Sequence, residues 1–125
     1  MTHLLYVAFG GAIGACLRHL VNLASLRWLG PNFPWGTATV NIVGSFAMGL
    51  FIEILTRRLG GSQELRLLIA TGLLGGFTTF SAFSLDIANL WERGAVSSAF
   101  LYATGSVVLS IAALFAGLAI ARTFA

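Results

Sequence analysis

The chain has 125 residues, 58% of them hydrophobic and only 9% charged, whereas soluble domains run at about 45 to 50% apolar and about 25% charged. With a mean hydropathy of +0.92 a membrane protein is the default, and four apolar stretches use up most of the length, leaving no room for a receptor domain, an enzyme head or a nucleic-acid module. The net charge of +3 comes from arginines without a single lysine, and these are scattered singly or in one pair, unlike the clustered basic footprint of a DNA or RNA binder. The lone Cys16 sits in an apolar run and has no intrachain disulfide partner.

Crossing a hydrocarbon core of about 30 Å takes roughly 20 helical residues, and four runs meet that length: Leu4 to Leu26, Gly36 to Thr56, Leu67 to Leu90 and Ala95 to Ala121. The joints carry interface punctuation: Trp28 to Trp35 with Pro31 and Pro34, Arg57 to Arg66 with Gly60 and Gly61, and Trp91 to Gly94. Uninterrupted runs of this kind predict an all-α membrane protein with four transmembrane helices in a single integral membrane domain, not the alternating strands of a β-barrel. The first span lacks the basic leader and small-residue cleavage site of a signal peptide, so it is expected to be retained. One membrane face carries Arg57, Arg58, Arg66 and Arg122, and the other Arg27, Arg93 and Arg18. That near balance fits either a chain that inserts in both orientations, forming an antiparallel dual-topology homodimer, or a slight bias that still fixes one orientation.

In the first span Gly10, Gly14 and Arg18 recur at steps of four, a ladder for close helix contact that ends in a charge. Arg18 either snorkels to the interface or lines a wet vestibule that attracts anions. In the second span Thr37, Asn41, Gly44, Ser45 and Met48 share a face, and in the fourth Tyr102, Ser106, Ser110, Ala113 and Gly117 do the same. Small and hydroxyl side chains on such stripes serve helix packing, and the amide of Asn41 near mid-span adds a donor where water is scarce.

The third span carries the strongest signal. Gly72, Gly75 and Gly76 followed by Thr78 and Thr79 are poor material for a continuous helix and predict a break at membrane depth. A break frees backbone carbonyls, which is tolerated only inside protein or along a cavity, and freed carbonyls suit a small cation. Beyond it, Phe80 and Phe83 share a face with Ser84 and are interleaved with Thr79 and Ser81. Such phenylalanines either pack against lipid and protein or, with their positive ring edges beside hydroxyls and the Asn41 amide, replace water around a small anion. Asp86, deeper in this span than the other acids, lies near a vestibule or pairs with an arginine.

These three segments, Gly10 to Arg18, Gly36 to Phe46 and Gly75 to Ser84, come in an order and spacing that resembles the Fluc (CrcB-type) fluoride channels, and the resemblance covers all four spans. It implies an antiparallel dual-topology dimer in the inner membrane with two fluoride pathways and a structural sodium ion at its centre. The matching positions for sodium are the carbonyls of Gly75 and Thr78, four oxygens from two copies. Those for the fluoride pathway are Phe80, Phe83, Asn41, Thr79, Ser81, Ser110 and Tyr102, with Arg18 at an aqueous vestibule. Ala82 and His19 depart from the family pattern, the first removing one hydroxyl from the track. The implied activity is passive fluoride export that limits fluoride toxicity, with no enzyme chemistry. The rival is a small dual-topology multidrug exporter, which needs an acid in the first span to exchange cations for protons; that span has Arg18 and no acid.

Overall fold

The computed structural model describes residues 1–124. Four helical passes run up and down: α1 (Thr2–Leu29), α2 (Trp35–Arg57), a third pass over Gln63–Glu92, and α6 (Val96–Phe124). All four are long and apolar enough to cross a membrane. The third pass is composite. Short α3 (Gln63–Leu65) leads into widened π-type turns over Arg66–Leu74, then α4 (Gly75–Phe77), a non-helical step, and α5 (Ser81–Glu92). The observed helices outrun the predicted spans by a few residues at most ends, because interfacial residues such as Trp28 and Arg57 continue the hydrogen-bond ladder beyond the apolar run.

Turn chemistry closes the hairpins. Pro34 precedes α2, where its missing N–H costs nothing, and Phe33 packs against Trp35 in a tilted pair with centroids 4.6 Å apart. Gly30, Gly60, Gly61 and Gly94 take positive φ at the connections, a region open to glycine. The three tryptophans, Trp28, Trp35 and Trp91, gather at the end where α1 stops and α2 begins, all exposed as an interfacial belt requires. The opposite end is arginine-rich: Glu53 accepts from Arg57 Nε at 2.5 Å and Arg122 Nε at 3.2 Å, tying α2 to α6.

Packing is by backbone approach. A Cβ at Gly10 would collide with the Leu68 carbonyl and one at Gly14 with the Leu73 carbonyl, so the first-span glycine ladder seats α1 directly on the π-type turns. Gly49 and Gly117 bring α2 and α6 together in the same way, each facing the other helix's backbone. The break then changes the third pass's neighbour: residues 66–77 pack on α1, whereas α5 packs on α6, where Phe83, Leu90, Ala99 and Tyr102 form a buried cluster.

Candidate functional site

The break begins at Thr78, whose backbone is extended (φ −88°, ψ 161°), and ends where α5 starts at Ser81. Thr78 still closes the preceding turn, its N–H and its Oγ1 both donating to the Leu74 carbonyl at 3.0 and 2.9 Å. In a continuous helix the Thr79 N–H would bond the Gly75 carbonyl, and the Ala82 N–H the Thr78 carbonyl. Both donors are diverted. Thr79 N–H donates to Asn41 Oδ1 at 2.8 Å, and Ala82 N–H donates to Thr79 Oγ1 at 3.2 Å. Gly75 O and Thr78 O therefore leave the helical ladder.

Two neighbouring carbonyls find side chains instead. Gly76 O accepts from Arg18 Nε at 3.0 Å, and Thr79 O from Asn41 Nδ2 at 3.0 Å. Asn41 thus pairs with both backbone groups of Thr79, as a strand neighbour would, and keeps one Nδ2–H free. Arg18 is half-buried and turned to the break; it is absent from the lining of the polar end cavity described below.

Beside the break lies a cavity of about 390 Å³ into which Asn41, Gly75, Thr78, Thr79, Phe80, Phe83, Ser106 and Ser110 face, closed further by Val107 and Ile111. No lining residue is charged. Phe80 and Phe83 have centroids 5.6 Å apart at an interplanar angle of 53°, but their surroundings differ. Phe83 is 6% exposed, held by Tyr102 at 5.1 Å, while Phe80 is 76% exposed on the side of the cavity that this chain leaves open. The Ser110 hydroxyl oxygen is buried with no hydrogen-bond partner among the described residues.

Of the predicted positions, Asn41, Thr79, Phe80, Phe83, Ser110, Gly75 and Thr78 come together on this cavity. Ser81 stands beside it, exposed, with Oγ 3.5 Å from Thr79 Oγ1. Tyr102 faces the other way: its hydroxyl donates to Asp86 Oδ2 at 2.9 Å, and its ring borders an apolar groove between α2 and α6. Asp86 therefore meets a phenol and not an arginine, and lines a second cavity of about 350 Å³ with Asn22, Thr37, Asn89 and Arg93 at the tryptophan end. Ala82 and Asp86 face this cavity and Phe83 the first, so α5 is their shared wall. Ser106 was not among the predicted site residues, although its place four residues before Ser110 on the same stripe was the signal for it.

As a donor set, Gly75 O and Thr78 O are hard oxygens of the kind that suit an alkali or alkaline-earth cation, and the described residues contain no group of three His, Cys, Asp or Glu side chains to hold a metal. The fit for sodium is sound in chemistry: neutral oxygens, released from the ladder, on a face the chain itself leaves open.

Fold and site define a class: a small four-pass membrane protein with a broken helix beside an uncharged cavity of amide, hydroxyl and ring groups. The chain belongs to the CrcB family, whose model, described as "CrcB-like protein, Camphor Resistance (CrcB)", matches residues 5–118. It is 65% identical over 123 residues to a protein of Mesorhizobium japonicum named fluoride-specific ion channel FluC, with 98% of each chain covered. Proteins of the same name from Chelativorans sp. and Agrobacterium fabrum are 61% and 57% identical, again over 98% of each chain.

Proposed function

We propose that this chain is a fluoride channel of the inner membrane, a single multi-pass membrane domain that works as an antiparallel dual-topology homodimer and releases cytoplasmic fluoride passively. The observation that carries the reading is the uncharged cavity at the break, in a chain 65% identical to a protein named as a fluoride-specific channel. Fluoride is small and strongly hydrated, so its path must supply close donors that replace water without trapping the ion. The free Asn41 Nδ2–H, the Ser106 and Ser110 hydroxyls and the electropositive edges of Phe80 and Phe83 are such donors. None carries a full charge, so none holds the anion strongly. Thr79 in the break and Ser81 at the start of α5 extend the hydroxyl series, and the polar cavity of Asn22, Thr37, Asp86 and Asn89 is a wet entrance, with the Tyr102 to Asp86 hydrogen bond at its inner wall.

The open side of the cavity supports a pair of copies. Carbonyls freed at Gly75 and Thr78 would be left facing lipid in a lone chain, at a cost of several kcal/mol per unsatisfied group. A second copy related by an axis in the membrane plane covers them and brings its own pair. The group that suits four such oxygens is a sodium ion, which would supply a fixed positive charge joining the two copies. With Arg18 drawn to the break, arginines still stand at both ends, Arg57, Arg58, Arg66 and Arg122 at one and Arg27 and Arg93 at the other, and a bias this slight supports insertion in both orientations.

Export needs no energy coupling. Fluoride enters as neutral HF and dissociates inside, and an inside-negative potential drives the anion out with about 2.3 kcal/mol per charge per 100 mV. The cation-exchanging exporter is disfavoured by the same structure, since the first helix places Arg18, not an acid, against the break.

The test is anion efflux from liposomes holding the purified protein. Rapid fluoride release without chloride release is expected, and Phe83→Ile, with the dimer still folded, should reduce it by about a hundredfold, the loss of roughly 2.7 kcal/mol of ion stabilisation. A folded preparation with no fluoride flux overturns the reading.

A further inference from the structure

A helix interrupted by a three-residue step exposes a row of carbonyls, and a bare row would offer a cation several competing oxygens. In this chain the row is thinned from outside. Gly76 O is taken by Arg18 from α1, 58 positions away in sequence, and Thr79 O by Asn41 from α2, 38 positions away. The two oxygens between and before them, Gly75 O and Thr78 O, belong to residues that line the cavity; Gly76 does not line it, and Thr79 lines it with its carbonyl already taken by Asn41.

We propose that Arg18 and Asn41 are positioning residues for a cation at the Gly75 and Thr78 carbonyls, each holding a neighbouring carbonyl away from the site so that two oxygens per chain remain to bind. This rests on the cation reading of the break given above. Arg18 suits the task because its guanidinium is planar, always charged and rich in donors, so it caps a carbonyl without losing the proton that does the capping. Its half-buried position, fixed by the seating of Gly14 on the Leu73 carbonyl, keeps it at the break and off the lining of the polar end cavity.

The charge of Arg18 makes the proposal decidable. A positive charge beside a cation site weakens cation binding by Coulomb repulsion alone. Removing it therefore tightens sodium binding if Arg18 acts only through its charge, and loosens sodium binding if the hydrogen bond to Gly76 O is what matters. The two roles predict opposite signs.

The experiment measures the thermal midpoint of the purified full-length protein in detergent against sodium concentration, with N-methylglucamine replacing sodium at constant ionic strength. Fluoride efflux is followed across the same series. For the wild type the midpoint should rise with sodium along a saturable curve. Arg18→Met and Asn41→Ala should each shift the half-saturating sodium concentration upward about tenfold, a change of roughly 1.4 kcal/mol. Arg18→Lys, which keeps the charge and N–H donors but loses the planar fork, should fall between. A purely structural role would lower the thermal midpoint by the same amount at every sodium concentration and leave half-saturation in place; that result, or tighter sodium binding in Arg18→Met, overturns the proposal. Should Arg18→Met not fold, a half-saturation in Arg18→Lys equal to that of the wild type overturns it equally. A wild type that conducts fluoride but shows no sodium-dependent stability removes the cation site and the positioning role together, leaving the channel reading intact, whereas loss of fluoride flux in the wild type strikes that reading alone.

Discussion

At Ser110 the proposed path and the fold make opposite demands. A hydroxyl buried without a partner costs roughly 1–3 kcal/mol, and the Ser110 oxygen is in that state on the wall of the cavity. Ser110→Ala removes a polar group that makes no internal hydrogen bond, so the thermal midpoint should hold or rise. Fluoride efflux should fall about tenfold, the value of one ordinary hydrogen bond to the ion. Equal stability with undiminished flux would place the hydroxyl outside the path. The residue types of this site were readable in advance because polar groups stand out in an apolar span, and Asn41, Thr79, Phe83 and Ser110 do lie together. Their individual states were not readable. Asn41 reads as a donor, yet its carboxamide is mostly engaged by the Thr79 backbone; Phe80 and Phe83 read as a matched pair, yet one is open and the other packed. Tyr102 and Arg18 face away from the main cavity because Asp86 and Gly76 O, each far off in sequence, offer them partners.

At the scale of helices the break is a change of partner. Residues 66–77 ride on α1 through backbone contact at Gly10 and Gly14, and α5 turns to α6 through Phe83 and Leu90. The glycine ladder and the glycine-threonine run were visible locally, the first as a contact face and the second as poor helix. Their connection was not, since nothing periodic links α1 to the π-type turns. This contact separates two glycines three positions apart in α1. A Cβ at Gly14 would strike the Leu73 carbonyl and crowd the Phe77 amide, whereas one at Gly11 meets nothing closer than 4.0 Å. Gly14→Ala should therefore cost about 3 kcal/mol by overpacking and displace the break, while Gly11→Ala should be neutral or gain slightly from helix propensity. Thermal unfolding of the two variants in detergent checks the contrast; equal effects would show that α1 does not seat on the third pass at Gly14.

For the whole molecule, the distribution of charge and of uncovered surface is where the proposed pairing is tested. Tryptophans mark one end, arginines stand at both, with Arg27 and Arg93 at the tryptophan end and Arg57, Arg58, Arg66 and Arg122 at the other, and an open cavity interrupts a flank that should otherwise be uniformly apolar. If copies insert in opposite senses, one site is exposed on both faces of the membrane. In a Cys16→Ser background, a cysteine at exposed Gln63 should react with an impermeant maleimide to about half its final extent in intact cells and fully after permeabilisation, the half following from equal populations of two orientations. Labelling from one side only would restrict the chain to a single orientation. The number of passes, their approximate limits and the place where the third gives way are local properties: they depend on the length of apolar runs and on the helix preferences of glycine and threonine, so they can be read along the chain. Which carbonyls remain free and where Arg18 reaches depend on contacts 38 and 58 positions apart, and which phenylalanine is covered depends on Tyr102 of the next helix. Those contacts exist only after the glycine faces have brought the backbones together, and no local pattern encodes them.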